Sequence, residues 1–269
     1  MYRNQRIVAV VQARMGSSRL PGKVLLPLGG RPVLWHVIER LTEVDLLDEI
    51  VVATTERPED DGIVDFVRWI DEPALRVFRG PEKDVLERFY LALCDEPPDV
   101  VVRVTADSPL VSTEYMRQLV IRVVEDDLDG ADGHHDNCGL TLGFGSEAYR
   151  YRALVDAHLL AIRPEEREHV SLFIRHRPHA FRLANPEPES GLCSDLRLTL
   201  DYPEDLELLS RVYDALYRPG RLVDCRRVLE WLERRPDLVA INGDCDQIQP
   251  LTTRSIHAGD ADASRAAGE

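Results

Sequence analysis

Hydrophobic positions in the first half of the chain alternate between two spacings. An almost unbroken run of β-branched residues at Ile7–Gln12 is followed by apolar residues spaced three and four apart in Pro32–Leu41. The first spacing is typical of a strand buried on both faces, and the second of an amphipathic helix. Further strands are predicted at Glu49–Thr54, Leu75–Phe78 and Val100–Ala106, and further helices at Asp60–Ile70, Lys83–Cys94 and Thr113–Val124. This order predicts an α/β fold with a mostly parallel sheet and helices on both sides.

The second half of the chain has a less regular pattern. Asp129–Gly145 is rich in Gly, Asp and His and is interpreted as a loop or a short strand. Helices are predicted at Ala148–Ile162, Glu165–His176, Glu204–Leu216 and Cys225–Arg234, and strands at Phe181–Ala184 and Leu196–Leu200. From about Asn242 the residues are small, polar and aperiodic, which is typical of a disordered tail. The pattern therefore predicts one domain over 1–241 and a tail over 242–269.

Composition narrows the class of protein. The 269 residues are 44% hydrophobic and 30% charged, which suits one large α/β domain with a substantial core. A net charge of −15 argues against a nucleic-acid binder, which needs a basic face. The five cysteines lack the spacing of a metal or redox site, and the N-terminal apolar run is too short for a signal peptide or a membrane span. We therefore expect a soluble cytoplasmic protein with reduced thiols and no nucleic-acid or membrane partner.

The segment directly after the first predicted strand is dense in cations and small residues. Arg14, Arg19 and Lys23 place three positive charges within ten residues, and Lys23 is one of only two lysines in the chain. The other candidate nucleotide-binding residues of this segment are Gln12, Ala13, Gly16, Ser17 and Ser18. Backbone amides and cations can hold a triphosphate and offset the charge of departing pyrophosphate. The segment matches neither the Walker A loop nor the dinucleotide fingerprint. The competing interpretation is a solvated loop with surface arginines.

Two aspartates follow predicted strands and precede proline turns. Asp107 comes after Val100–Ala106, and Asp201 comes after Leu196–Leu200. Mg²⁺ usually takes one or two carboxylates together with phosphate oxygens and water, so these aspartates form a metal pair if their strand ends converge. The competing interpretation is that each caps a helix or fixes a turn. Arg103 lies on the same predicted strand as Asp107, where it can pair with an acidic neighbour or touch a nucleotide.

The N-terminal motif resembles that of an enzyme family. The runs QARMGSSRLPGK and VLLPLGGRPVLWHVIERL are similar to those of the spore-coat polysaccharide cytidylyltransferase-like family, which is similar to the CMP-3-deoxy-octulosonate and CMP-acylneuraminate synthetases. The resemblance extends from Ile7 to about Leu232. It implies a GT-A-like nucleotidyltransferase fold with an inserted acceptor and dimerisation region at about 130–185, and a homodimer. It also implies that the enzyme uses Mg²⁺ to transfer CMP from CTP to a hydroxyl of a sugar or sugar acid for polysaccharide biosynthesis.

The resemblance also implies roles for residues in the nucleotide and metal sites. Arg14 and Lys23 are expected to bind the CTP phosphates and to be catalytic together with Asp107. Ala13 and the backbone around Gly16 are expected near the nucleoside. The runs TADSPL and LRLTLDYPED are similar to the metal-binding motifs of the family and place Asp107 and Asp201 on the ion.

Three further residues are expected near the acceptor. The run RGPEKDVL resembles a family segment of the nucleotide and acceptor pocket and points to Arg79, although a simple helix start explains that run equally well. The run GFGSE points to Glu147, with Gly145 in place of the usual family aspartate. The run EREHV points to His169, for which a structural role is the competing interpretation.

Two other functions fit parts of the pattern. A GT-A glycosyltransferase that uses a nucleotide-sugar would need a DxD-like acidic pair at a strand end, where TADSPL has a single aspartate. A non-catalytic nucleotide-binding protein would not need Arg14, Lys23, Asp107 and Asp201 together. Release of pyrophosphate from free CTP distinguishes the transferase from both.

Overall fold

The computed structural model describes residues 1–133 and 138–245. The strands in these ranges are β1 Ile7–Gln12, β2 Pro27–Leu28, β3 Arg31–Pro32, β4 Glu49–Thr55, β5 Leu75–Gly80, β6 Val100–Thr105, β7 Gly130–Asp132, β8 Glu147–Arg150 and β9 Leu183–Ala184. Seven of them form one sheet in the order β5-β4-β1-β6-β8-β7-β9, while β2 and β3 form a separate hairpin. The predicted α/β architecture is therefore confirmed.

The sheet is mixed but mostly parallel. β1 pairs in parallel with β4 on one side and β6 on the other, and β4 pairs in parallel with β5. β8 is antiparallel to both β6 and β7. Because Gln12 lies opposite Thr105, the loops that follow β1 and β6 leave the same edge of the sheet side by side. Ligands of parallel α/β sheets bind outside this carboxyl edge.

Helices cover both faces of the sheet, as predicted. In the part of the chain that the structure describes, they include α1 Val33–Thr42, α2 Asp61–Trp69, α3 Val85–Leu93, α4 Thr113–Glu125, α5 Tyr151–Leu160, α6 Pro164–Glu168, α7 Leu172–Arg175, α8 Pro203–Leu216, α9 Cys225–Glu233 and α10 Pro236–Val239. Alternate residues of β1 enter two hydrophobic clusters: Ile7, Ala9 and Val11 pack with α1 and α4, whereas Val8 and Val10 pack with α3 and α5. Burial of both faces explains why this strand has no polar alternation.

Two predicted helices differ in the structure. The helix predicted at Ala148–Ile162 begins only at Tyr151, because the residues before it form β8 and pair with β6. The helix predicted at Glu165–His176 is split into α6 and α7, and Val170 between them has a φ of 25°. A backbone in this left-handed region cannot continue an α-helix.

The prediction of a strand at Leu196–Leu200 is wrong. This segment makes an isolated bridge from Arg197 to Leu142, and the amides of Leu198 and Leu200 donate to the carbonyls of Leu142 and Asp107 at 2.8 and 2.9 Å. Its alternating pattern instead reflects the full burial of Leu198 and Leu200 against the core. The predicted strand at Phe181–Ala184 is likewise reduced to Leu183–Ala184.

The end of the described chain packs against the domain. Asn242, where the sequence predicts the tail to begin, is 5% exposed and donates hydrogen bonds to Arg197 and Asp205. The rest of the predicted tail, 246–269, and the centre of the predicted loop, 134–137, lie outside the described residues. None of the helices in the described ranges combines the length and apolar character needed to cross a bilayer.

Candidate active site

The loop after β1 folds back on itself at the carboxyl edge of the sheet. The Gly22 amide donates to the Met15 carbonyl at 2.9 Å, and Gly22 has a φ of 69°, which glycine adopts without strain. A short 3₁₀ helix, Lys23–Leu25, begins directly after this turn. The turn therefore directs the Lys23 side chain back over the edge of the sheet.

The Lys23 ammonium group lies between the two predicted metal-binding aspartates. Lys23 Nζ donates to Asp107 Oδ2 at 2.6 Å, to Asp201 Oδ1 at 2.8 Å and to the Leu200 carbonyl at 2.7 Å. Its side chain is 11% exposed. Burial alone lowers the pKa of Lys23, but the charges of Asp107 and Asp201 outweigh burial and raise it. Burial raises the pKa of Asp201, and Lys23, Arg197 and Arg19 lower it overall. Lys23 and Asp201 are therefore both charged at neutral pH.

Two distant parts of the chain bring the aspartates together. Asp107 lies two residues after the end of β6, and its backbone carbonyl accepts the Leu200 amide at 2.9 Å. This bond aligns the segment before Asp201 with the end of β6. The two carboxylates consequently face each other across a single ammonium group.

Arg19 extends the cationic side of the site. Its guanidinium contacts Asp201 Oδ1 at 3.2 Å, donates to the Tyr202 hydroxyl at 3.0 Å and lies 4.6 Å from the centre of the Tyr202 ring. Arg19 therefore joins Lys23 on the same carboxylate. Ser17 accepts a long hydrogen bond from the Leu20 amide at 3.4 Å, which stabilises the turn that contains Arg19.

The oxygen atoms around Lys23 suit a divalent cation. Asp107 Oδ2, Asp201 Oδ1 and the Leu200 carbonyl already surround one positive group. Mg²⁺ prefers oxygen ligands, and two carboxylates completed by phosphate oxygens and water match its usual protein sites. Nowhere in 1–133 or 138–245 do three or more His, Cys, Asp or Glu residues gather as a metal site. A divalent ion held here would thus complete its coordination with substrate oxygens or water.

Arg14 lies at an open cavity beside the loop. The cavity has a volume of about 200 Å³, and its walls include Gly16, Thr55 and Asp60. Among the described residues, Arg14 has no hydrogen-bond or ion-pair partner, and it is exposed together with Gly16 and Ser18. Arg14 is therefore a cation available to a ligand, unlike Lys23 and Arg19.

Asp60 holds the base of this loop and was missed by sequence reasoning. It is 2% exposed, accepts the Met15 amide at 2.7 Å and the Thr55 amide at 3.1 Å, and also accepts the Thr55 hydroxyl. The carboxylate thus ties the loop after β1 to the end of β4. No local pattern distinguishes Asp60 from an ordinary helix-start aspartate.

A second cavity separates the Arg103 side chain from the loop of Gly143 and Gly145. It has a volume of about 170 Å³ and is lined by Arg103, Thr105, Ser108, Gly133, Thr141, Leu142, Gly143, Gly145, Ser146, Glu147 and Thr199. Arg103 donates to Glu147 Oε2 at 2.9 Å and to Gln12 Oε1 at 3.3 Å. Arg103 therefore links the end of β1 to the predicted acceptor residue Glu147.

Glu147 is a buried carboxylate with several partners. It is 1% exposed, and its Oε1 accepts the Ser171 hydroxyl at 2.6 Å. His169 lies two residues before Ser171. Partial burial and then the charge of Arg103 lower the pKa of His169, while the charge of Glu147 raises it. The structure thus brings Glu147, Arg103 and His169 to one region.

Arg79 lies elsewhere. Its guanidinium donates to the Thr55 carbonyl at 2.9 Å, the Arg57 carbonyl at 2.8 Å and Asp61 Oδ1 at 2.6 Å. β5, which carries Arg79, is three strand positions from β6. Strands lie about 4.8 Å apart, so Arg79 is roughly 14 Å across the sheet from the strand that leads to Asp107. The structure groups Arg79 with the Arg14 cavity rather than with Glu147 and His169.

Known proteins resemble this chain in both sequence and fold. A family model described as "Cytidylyltransferase" matches residues 8–217. The chain is 33% identical over 238 residues to the spore coat polysaccharide biosynthesis protein SpsF of Bacillus subtilis, covering 86% of this chain and 95% of SpsF. A solved cytidylyltransferase of Leptospira borgpetersenii superposes with a TM-score of 0.80 at 25% identity, over 91% of this chain and 99% of that one. A CMP-2-keto-3-deoxy-manno-octonic acid synthetase solved with CTP shares the fold, with a TM-score of 0.59 at 21% identity over 78% and 98% of the two chains.

Proposed function

Because the chain belongs to the cytidylyltransferase family, we propose that this nucleotidyltransferase transfers CMP from CTP to a hydroxyl of a sugar or sugar acid for polysaccharide biosynthesis. The observation that carries the proposal is the contact of Lys23 with both Asp107 and Asp201, beside a loop whose Arg14 is available to a ligand. In this reaction the acceptor oxygen bonds to the α-phosphorus as the bond to pyrophosphate breaks. The proton of the acceptor hydroxyl is released to solvent.

The loop after β1 is assigned to the nucleotide. Arg14 and the amides around Gly16, Ser17 and Ser18 would contact the triphosphate, and Ala13 would lie near the nucleoside. Gln12 and Arg103, which contact each other at 3.3 Å, would form the floor beneath it. Lys23 and Arg19 are already at this edge and would offset the charge that develops on pyrophosphate.

Asp107 and Asp201 are assigned to Mg²⁺. The oxygen-only donor set around Lys23 Nζ supports this assignment. When bound, Mg²⁺ supplies Lewis-acid polarisation of the phosphoryl oxygens. Lys23 would then exchange its carboxylate partners for phosphate oxygens, because one ammonium group and a divalent ion cannot share the same space between the aspartates.

The acceptor is assigned to the cavity between Arg103 and Gly143. Glu147 is held there by Arg103 and Ser171, and His169 is coupled to both charges. Burial and Arg103 lower the pKa of His169 below its ordinary value of 6.5, so its imidazole is neutral at pH 7 and can hydrogen-bond an acceptor hydroxyl. Arg79 contacts Thr55 and Asp61 near the Arg14 cavity, so its effect on the acceptor would be indirect.

We also propose a cytoplasmic homodimer that uses the region at about 130–185. Three large apolar side chains at the end of α5 support it, since Leu159, Leu160 and Ile162 are 69%, 61% and 89% exposed. An exposed apolar patch of this kind is typical of an interaction surface. Sedimentation of the wild type and of a Leu160→Glu variant measures the association directly, and a monomeric wild type would contradict it.

A pyrophosphate-release screen tests the function. The four ribonucleoside triphosphates are combined with a panel of sugars and keto-acid sugars in the presence of Mg²⁺, and products are identified by mass spectrometry. We expect pyrophosphate and a CMP-conjugate from CTP. Transfer of sugar from a nucleotide-sugar without pyrophosphate would instead indicate a glycosyltransferase, and CTP binding without any turnover would indicate a non-catalytic protein.

Matched variants link turnover to the site. Asp107→Asn and Asp201→Asn should each lower kcat about 10²–10³-fold, the range for loss of one electrostatic group. Glu204→Gln is the control, because this exposed acid lies only three residues after Asp201. Equal rates in the aspartate variants and the control would contradict the metal assignment.

A further inference from the structure

A buried arginine contacts the side of Asp201 that faces away from Lys23. The Arg197 guanidinium donates to Asp201 Oδ2 at 2.7 Å, whereas Lys23 contacts Oδ1 of the same carboxylate. Arg197 is 7% exposed. The two oxygens of Asp201 therefore have different partners, and it is Oδ1 that Lys23 links to Asp107.

Asp205 holds the Arg197 guanidinium in place. This aspartate has no solvent exposure, and its Oδ1 accepts Arg197 Nε at 3.0 Å. Its Oδ2 accepts the amides of Asp201 and Tyr202 at 2.8 and 2.9 Å, in a capping box at the start of α8. One carboxylate thus holds both the backbone of Asp201 and the arginine that orients its side chain.

The end of the described chain completes this support. Asn242 Nδ2 donates to Asp205 Oδ1 at 2.8 Å and to the Arg197 carbonyl at 3.0 Å. Arg197 also lies 5.5 Å from the centre of the Tyr202 ring. Asp201, Tyr202 and Asp205 all contact the guanidinium, and Asn242 holds both Asp205 and the Arg197 backbone. The guanidinium therefore has little freedom to follow a ligand.

The different mobility of the two cations has a chemical consequence. Lys23 must leave the aspartates if it is to bind phosphate, and two neighbouring carboxylates would then repel each other. Arg197 remains as a fixed positive charge on Asp201 Oδ2. It also prevents Asp201 from turning that oxygen toward an ion, so a ligand between the aspartates meets one oxygen of Asp201 in a set direction.

We propose that Arg197 is a positioning residue for the divalent-ion site: it holds Asp201 so that Oδ1 faces Asp107, and it neutralises Oδ2 when Lys23 departs. The proposal rests on the proposed function. Removal of a residue that hydrogen-bonds to a metal ligand commonly lowers metal affinity or activity by about 10–100-fold. The competing explanation is that Arg197 merely ties Asn242 and α8 to the domain.

The test measures Mn²⁺ binding in the presence of CTP by water-proton relaxation, together with the Mg²⁺ activation constant of pyrophosphate release. Arg197→Met should weaken Mn²⁺ binding about 10–100-fold and raise the activation constant by a similar factor. At saturating Mg²⁺, kcat should recover most of its wild-type value. Arg197→Lys keeps the charge and should recover most of the lost Mn²⁺ affinity.

Two further variants separate positioning from general stability. Arg150→Met removes an equally buried arginine that contacts Gln5 and Val123, so it should lower the unfolding temperature without changing Mn²⁺ affinity. Arg197→Gln retains a donor for Asp205 and replaces Arg197→Met as the charge-removing variant if the latter does not fold. It should show the same weakening of Mn²⁺ binding, about 10–100-fold. Wild-type Mn²⁺ affinity in a folded charge-removing variant would overturn the proposal.

The same measurements distinguish failure of this inference from failure of the proposed function. Pyrophosphate release by the wild type with an unchanged metal dependence in Arg197→Gln would overturn the role of Arg197 alone. Absence of pyrophosphate release with every nucleotide would overturn the proposed function, while the Mn²⁺ titration would still decide whether Arg197 positions Asp201.

Discussion

Replacing Lys23 with methionine removes the ammonium group between Asp107 and Asp201 while keeping a side chain of similar length. The variant loses three hydrogen bonds of 2.6 to 2.8 Å. Hydrogen bonds to charged groups contribute about 1.5–3 kcal/mol each, but both carboxylates are about one-fifth exposed and can recover water. Arg19 and Arg197 also remain on Asp201.

These terms give a net destabilisation of about 2–3 kcal/mol rather than the sum of three bonds. For a domain of this size, each kcal/mol lowers the unfolding temperature by about 2–4 °C. We therefore expect Lys23→Met to unfold about 4–12 °C below the wild type in EDTA. Loss of its charge should lower kcat about 10²–10³-fold.

The same substitution should make the protein responsive to a divalent ion in the absence of nucleotide. With Lys23 gone, Mn²⁺ can bind between the aspartates, and a ligand at 100 times its Kd stabilises a fold by about 2.7 kcal/mol. Mn²⁺ should thus restore most of the lost unfolding temperature in Lys23→Met and have little effect on the wild type without CTP.

Thermal unfolding with and without Mn²⁺ checks this prediction, with Lys83→Met as the control. Lys83 is the other lysine of the chain and is exposed. Its removal should therefore alter neither the unfolding temperature nor the response of that temperature to Mn²⁺. If Mn²⁺ stabilises the wild type and Lys23→Met equally, Lys23 does not occupy the position of the ion.

Three further predictions concern the walls of the site. Gly143→Ala should destabilise the fold by about 1–3 kcal/mol in chemical denaturation, because Gly143 has a φ of 101° and an added Cβ would lie 2.8 Å from a backbone nitrogen; Gly16→Ala, with open space around it, should leave stability unchanged. Asp60→Ala should cost about 2–4 kcal/mol and raise the KM for CTP, because the Met15 amide loses its acceptor. Below pH 6.5 the unfolded chain binds a proton that folded His169 resists, so stability should fall as the pH drops below 6.5, and His169→Gln should reduce this slope in pH-dependent thermal unfolding.

The parts of the fold that local sequence could predict are those in which one segment determines its own burial. The β-branched run at Ile7–Gln12 is buried on both faces, so its pattern is complete within six residues. Glu147–Arg150 is different, because it becomes a strand only by pairing with β6, more than forty residues earlier. A helix-like pattern continues into α5 and hides the start of that strand.

The candidate site likewise has features that local motifs reveal and features that depend on distant contacts. The dense loop after β1 and the aspartates beside proline turns are visible as local motifs, and their convergence follows from strand order once the segment at Leu200 aligns with Asp107. The contact of Lys23 with both carboxylates depends on the turn at Gly22 and on residues almost 180 positions apart. Arg197 and Asp205 carried weak signals, a charge inside an apolar run and an acid in a first helical turn, but either has many ordinary explanations.

The choice of lysine at position 23 gives the last prediction. Lysine is a point charge on a flexible stem, whereas arginine presents a planar fork that binds carboxylates in a fixed geometry. The fixed cation of the site is Arg197, and the cation assigned to exchange partners is one of two lysines in a chain with 33 basic residues. Lys23→Arg should therefore keep the unfolding temperature at or above that of the wild type and still lower kcat at least about tenfold, because its fork would remain on Asp107 and Asp201. Thermal unfolding and pyrophosphate release measured on one preparation check both effects. Wild-type turnover in Lys23→Arg would show that this cation does not need to leave the aspartates during the reaction.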